Sequence, residues 1–331
     1  MEARILSVGV HVPPRRMSND DIAELVDTSD EWIVTHTGIR NRHIADESVA
    51  ASDLAVEATG RALADASLDA GQLDLILLAT STPDYPGLPS TASIVQDRIG
   101  AQSAGAMDVV AACTGFVYAL ETARAFVVSG AAKTVLVIGS EVYSKIIDWS
   151  DRNTCVLFGD GAAAVVVAAA EGREGAPQQG VIDSVLRSRG SGAGSLLRPG
   201  GGSREPFVSG EMPTERTKLA MDGRRVYTFA VQAIGDAINL LLERNGLTID
   251  DIDHIVPHQA NIRIIEAASK RAKLPLEKFF TNIDEYANTS AASIPIALRD
   301  MLDGGKLKRG DLLITVGFGS GLTYGANLIR W

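Results

Sequence analysis

ALETARAFVVSGAAKTVLVIGS (residues 119–140) and ALRDMLDGGKLKRGDLLITVGFG (297–319) follow one plan. Each opens with apolar residues at helical spacing, breaks at a glycine-bearing turn with a lysine, and closes with a strand-like run that ends in glycine. Upstream, LDAGQLDLILLA (68–79) and LTIDDIDHIVPH (247–258) match in the same order. One such match could be chance, but two in one order argue for duplicated halves. SDLAVEATGRALADA (52–66) has helical spacing, and DLILLAT (74–80) and TVLVIGSE (134–141) are continuous apolar runs. Short apolar runs between amphipathic helices mark buried strands, so the chain belongs to the α/β class. The polar stretch EGREGAPQQG (171–180) divides it into halves 1–172 and 173–331. RGSGAGSLLRPGGGSREP (189–206) reads as a long surface loop with a mobile RGSGAGS start.

A length of 331 residues exceeds a usual single-core domain, which agrees with two halves. The net charge of −10 argues against general nucleic-acid binding, which wants a basic surface. Two cysteines cannot build a disulfide framework and suit a reducing compartment. The opening MEARILSVGVHVPP is strand-like, unlike a secretory signal, and the longest apolar run (162–170) is far short of the roughly 20 residues that span a bilayer. The expectation is a cytoplasmic protein without membrane insertion.

Cys113, in DVVAACTGFVYAL (108–120), stands where a strand-like run becomes a helix. A helix N-terminus favours the thiolate, and small neighbours leave room for a substrate. A small buried hydrophobe would suit the same place. Cys155, in NTCVLFGDG, sits in an apolar strand-like run and reads as core. His258 follows a strand ending at Pro257 and precedes a helix that begins near Asn261; taken alone, a structural histidine fits this context better than a catalytic one. His254 and His258 make an H-x-x-x-H pattern. In a strand, however, positions four apart lie about 13 Å from each other, too far for one metal, so no metal site is expected. Asn288, in EYANTSAASIP, falls opposite Cys113 when the halves are aligned, but taken alone it reads better as a cap on the helix that follows. GFGSGLTYG (317–325) lacks the acidic residue of a dinucleotide fingerprint, and suits a tight turn whose backbone approaches a substrate.

Taken together, AACTGF, VPHQAN, YANTSAASIP and GFGSGLTYG, in that order, resemble the β-ketoacyl-[acyl-carrier-protein] synthase III family of the thiolase superfamily. SDEWIVTHTGIRNRHIA (29–45) and CVLFGDGAAA (155–164) extend the resemblance along the chain. It implies a thiolase-like five-layered α-β-α-β-α fold from two duplicated halves, with the Cys113 helix in the central layer. It also implies initiation of type II fatty-acid synthesis with no permanently bound cofactor. Cys113 would take an acyl group, typically acetyl, from acyl-coenzyme A, and the acyl-enzyme would condense with malonyl-acyl carrier protein. His258 and Asn288 would donate hydrogen bonds to the enolate oxygen left by decarboxylation, and backbone N–H groups of Cys113 and Ser320 would hold the tetrahedral oxyanion. The family commonly has glycine where Ser320 stands.

The resemblance implies further contacts. Trp32 and Arg152 would sandwich the coenzyme adenine, while Thr28, Gly223 and Asn261 would line its path. His36 stands where the family often has an arginine near phosphate, and a titratable residue there would make coenzyme affinity more pH-dependent. Leu88 would close the acyl pocket, often that of the neighbouring subunit in a homodimer, and Phe158 would wall it. Arg263, Lys270 and Arg271, with Lys273 nearby, offer a basic face to the acidic carrier protein; Arg224 and Arg225 add charge where Thr228 takes a commonly basic position. The alternative is a related condensing enzyme of a specialised polyketide or secondary-metabolite pathway. Elongating synthases carry a second histidine at position 288 and degradative thiolases a second cysteine near the C-terminal glycine loop, and this sequence has neither at those places. A papain-like hydrolase would want a helical and a β domain, and a non-catalytic acyl-binding protein would have no need of Cys, His and Asn together.

Overall fold

A computed structural model describes residues 1–172, 175–207 and 212–331. Arg173 and Glu174, at the boundary read from the sequence, lie outside the described residues. The first sheet has five strands in the spatial order Glu2–His11, Asp160–Ala170, Thr134–Val142, Leu75–Ala79 and Gly105–Val109. The last three run parallel; Asp160–Ala170 is antiparallel to both its neighbours. The second sheet orders His254–Pro257, Leu312–Gly319, Thr323–Arg330 and Gly180–Ser188, with one parallel pair at its His254–Pro257 edge. The runs read from residues 74–80 and 134–141 are thus central strands, and their apolar continuity reflects helices on both faces.

Between the sheets lie two helices, Gly115–Val128 and Ser293–Asp303, one from each half. Phe116, Leu120, Ile294 and Leu298 share one core with Leu77 and Val137 of the first sheet and Val256 and Leu313 of the second. Each such side chain contributes about 1.5–3 kcal/mol on full burial, so this layer welds the halves together. Ala51–Ala66 covers the outer face of the first sheet, and Gly223–Asn245 with Ile262–Ala272 covers that of the second. The result is the expected α-β-α-β-α order. Gly139 permits the close approach of the middle layer, because a Cβ there would lie 2.4 Å from the Ala291 carbonyl oxygen.

The 189–206 segment departs from the expected mobile loop. Gly190–Ser195 forms 3-10 turns, and Leu196–Leu197 pairs antiparallel with Ala220–Met221. Arg189 and Leu322 exchange both backbone hydrogen bonds, and Leu196 is buried. Its glycines serve close packing: a Cβ on Gly192 would meet the Leu322 side chain at 2.4 Å. Cys155 also differs, ending a short helix, Arg152–Cys155, capped by Asp151. An apolar run of this length does not separate helix from strand.

Candidate active site

Cys113 sits in a 3-10 turn, Ala112–Thr114, directly before the central helix Gly115–Val128. Ala112 takes a left-handed φ of 47°, which turns the chain sharply between strand and helix. Thr323 of the second half clamps this turn. Its hydroxyl lies 3.1 Å from the Ala111 carbonyl oxygen and 3.0 Å from Thr114 Oγ1.

His258 follows its strand directly and donates its backbone N–H to Val316 O at 2.8 Å. The ring is 1% exposed, edge-on to Phe318, with Nδ1 2.7 Å from Ser293 Oγ. Burial pulls its pKa down to about 3, so the imidazole is neutral at physiological pH.

Asn288 is held between the halves. Its backbone N–H donates to Leu157 O at 2.9 Å, and its carbonyl accepts from Gly159 N at 3.1 Å. Side-chain Oδ1 accepts from the Ser290 N–H at 2.9 Å, a cap-like bond that fixes the amide and leaves Nδ2 to donate elsewhere. The helix Ser293–Asp303 has Ala292 at its N-cap and no side-chain cap, so Asn288 does not cap the helix that follows as the sequence suggested.

Cys113, His258 and Asn288 all line one mainly apolar cavity of about 140 Å³, together with Phe158, Phe318 and Gly319. The walls supply few competing polar groups, so a substrate oxygen there would meet the imidazole and the amide.

Burial overturns one expectation. The thiol of Cys113 is pushed up to about 12 by its removal from water, with hydrogen bonding to Ser290 opposing only part of this. Burial thus favours the neutral thiol in the free protein, against the thiolate that a helix terminus favours. Behind it lies Glu141, fully buried and raised to about 7 by desolvation. Its carboxylate accepts from Thr82 Oγ1 at 2.7 Å and from Ser81 N at 3.0 Å.

Gly223 and Asn261 line the same cavity, at the starts of their helices. Asn261 Oδ1 caps Arg263 N, and Nδ2 donates to His36 O at 3.0 Å. Trp32, Arg152 and Thr28 do not line it. The Arg152 guanidinium lies 4.2 Å from the Trp32 ring centre, so the two must part to admit an adenine between them. His36 stacks on the other side of Trp32 at 4.4 Å, with Nδ1 donating to Trp32 O. Thr28 Oγ1 is buried without a protein partner.

Phe158 stacks on Tyr143 at 4.7 Å and walls the cavity. Leu88 does not reach it: the side chain is 87% exposed. Ser320 stands beside Gly319 with its hydroxyl donating to Leu196 O, and faces an adjoining depression. Arg263, Lys270 and Arg271 are exposed on the helix Ile262–Ala272. Lining residues that sequence reasoning missed include Leu196, Met221, Tyr227 and Ile264, which come from distant elements and carry no motif.

No metal-ligand cluster of three or more His, Cys, Asp or Glu is found among the described residues. His254 lies beside Asp311 at 3.5 Å, whereas His258 faces Ser293.

Residues 107–190 match the family described as 3-oxoacyl-[acyl-carrier-protein (ACP)] synthase III, and 242–331 match its C-terminal region. A β-ketoacyl-[acyl-carrier-protein] synthase III from Caldanaerobacter subterraneus subsp. tengcongensis is 49% identical over 99% of this chain and 98% of its own. The crystal structure of the synthase III from Thermus thermophilus is 44% identical over 99% of each chain, with a TM-score of 0.90. The priming β-ketosynthase of the R1128 polyketide biosynthetic pathway is 35% identical over 99% of this chain and 96% of its own, with a TM-score of 0.91.

Proposed function

The chain belongs to the β-ketoacyl-[acyl-carrier-protein] synthase III family of acyltransferase-class condensing enzymes that initiate fatty-acid synthesis, and we propose that Cys113, His258 and Asn288 carry its chemistry. One observation carries this reading: residues 113, 258 and 288, drawn from both halves, line a single mainly apolar cavity.

In the first half-reaction Cys113 Sγ attacks the carbonyl carbon of acyl-coenzyme A, with acetyl the expected primer. The C–S bond to the enzyme forms, the C–S bond to the coenzyme breaks, and the thiol proton ends on the coenzyme sulfur. The step is neutral in protons overall, which suits a nucleophile that rests as a thiol. Backbone N–H groups of Cys113 and Ser320 hold the tetrahedral oxyanion, beside the side-chain-free Gly319.

In the second half-reaction malonyl-acyl carrier protein loses carbon dioxide. The electron pair of the broken C–C bond becomes an enolate, whose carbon attacks the acyl-enzyme thioester and expels Cys113 as a thiolate, which takes up one proton from solvent to return to the resting thiol. Neutral His258 and the Asn288 amide donate to the enolate oxygen without titrating.

Thr28, Trp32, Arg152, Gly223 and Asn261 receive the coenzyme, and Arg263, Lys270 and Arg271 face the carrier. Residues 1–172 supply the nucleophile and 173–331 the two donors. A homodimer suits the surface: Gly105–Val109 is an edge strand, Val110 at its end is 83% exposed, and Leu88 is 87% exposed. Leu88 would then close the partner's acyl pocket. No described helix is long and apolar enough to cross a membrane, and with two free, buried cysteines a cytoplasmic location is the reading we adopt.

The test is product formation from acetyl-coenzyme A and malonyl-acyl carrier protein. A 3-ketoacyl-carrier product, absent in Cys113→Ala, supports the reading. Condensation only with a carrier from a specialised pathway would favour the polyketide-priming alternative, for which the R1128 relative is the precedent.

A further inference from the structure

A neutral imidazole has one N–H, and His258 is useful as a donor only if that proton sits on Nε2, the nitrogen that does not face Ser293. The other nitrogen decides the matter. Nδ1 has Ser293 Oγ as its partner at 2.7 Å, both residues being buried.

The surroundings of Ser293 Oγ restrict what it can do. Gln259 N–H points at it from 3.3 Å and can only donate, which occupies a lone pair. Two groups compete for its single proton, His258 Nδ1 at 2.7 Å and the Ser290 carbonyl at 2.9 Å. The Ser290 carbonyl already receives the backbone N–H of Ser293. Giving the hydroxyl proton to Nδ1, the nearer acceptor, therefore leaves no acceptor in the cluster bare. Giving it to Ser290 O forces the proton of His258 onto Nδ1 and leaves a bare Nε2 lone pair, which would repel an enolate oxygen. The cluster is braced from behind, because Gln259 Nε2 donates to Pro257 O at 2.8 Å and Oε1 accepts from Asn282 N at 3.2 Å.

We propose that Ser293 is a positioning residue that donates to Nδ1 of His258 and so locks the histidine in its Nε2–H tautomer. One short stretch, 288–293, then sets both enolate donors: Asn288 directly, through the bond of Oδ1 to Ser290 N, and His258 at second hand, through Ser293. The inference rests on the reading of His258 as an enolate donor, but the tautomer itself can be measured without substrate.

Nitrogen-15 NMR of imidazole-labelled protein reads the tautomer. The parent is expected to carry the His258 proton on Nε2, and Ser293→Ala to show mixed or reversed tautomers. In Ser293→Ala, condensation with malonyl-acyl carrier protein should fall about 10–100-fold, as expected for a weakened oxyanion donor, while acylation of Cys113 by acetyl-coenzyme A holds within about twofold. Ser293→Thr, which keeps the hydroxyl, should restore the Nε2–H tautomer. An Nδ1–H signal in the parent overturns the proposal, whatever the Thr variant does. So does an equal fall in both half-reactions, which would mark Ser293 as merely structural. If no acyl-enzyme forms at all, the catalytic reading fails, and the NMR signal still decides the tautomer.

Discussion

Gly319 ends its strand against the backbone of Cys113: a Cβ built on Gly319 would lie 2.7 Å from the Cys113 nitrogen and 3.1 Å from its Cβ. Cys113 of one half thus rests against the glycine-rich turn of the other.

That contact gives the first prediction. Gly319→Ala should displace the Cys113 turn, costing about 1–3 kcal/mol of stability. Acyl transfer should fall about 100-fold, as for a reacting group moved by an ångström. Unfolding curves and single-turnover acylation measure the two effects, and unchanged acylation would show that the turn is not held from this side.

The second prediction concerns the thiol. With burial pushing Cys113 up to about 12, only ~10⁻⁵ of it is thiolate at pH 7. Alkylation by iodoacetamide should be slow at neutral pH and rise about tenfold per pH unit without a plateau up to pH 10. A plateau near pH 7 would mean that the helix terminus prevails over desolvation.

A third variant isolates Asn288. Because Oδ1 is tied to Ser290 N, Asn288→Asp keeps that bond and replaces the free amide with a charged oxygen. Condensation should drop about 10²–10³-fold while acylation of Cys113 persists. Equal losses in both steps would contradict the assignment to the enolate.

Glu141 supplies a stability prediction. A carboxyl raised in the folded state from 4.5 to about 7 binds its proton more tightly than the unfolded chain does. Its contribution is complete below pH 4.5 and is lost as pH rises through 7, on the order of 3 kcal/mol. Glu141→Gln, which stays neutral, should gain in Tm over the parent progressively from pH 4.5 to 7. Buried His258 acts in the opposite sense, weakening the fold as pH falls below 6.5, and cancels in this comparison. A Tm difference that stays flat with pH would show that Glu141 is ionised throughout.

The duplicated halves were legible because repetition survives in pattern: helix, glycine turn and buried strand recur at 119–140 and 297–319. Cys113, His258 and Asn288 could be picked as candidates because they fall at element junctions within family motifs, and the fold brings them to one cavity. The protonation state of Cys113 was not. Helix position can be read from sequence, but the burial that opposes it arises only once both halves close over the thiol. Ser293 and Glu141 were missed for a related reason. Each acts across a gap of 35 or about 60 residues, and a serine or glutamate in an apolar stretch carries no sign of its partner. The 189–206 segment misled through composition: glycines that commonly mark loose loops here let the backbone pack against Leu322 and form the wall at Leu196.

The central claim is that Cys113 carries the acyl group between two substrates. Intact-mass analysis and peptide mapping after incubation with a panel of acyl-coenzyme A thioesters test it directly. One acyl group on the peptide holding Cys113, strongest with acetyl and absent from Cys113→Ala, is the expected result. Correctly folded protein that forms no acyl-enzyme with any thioester, or acylates elsewhere, would contradict it.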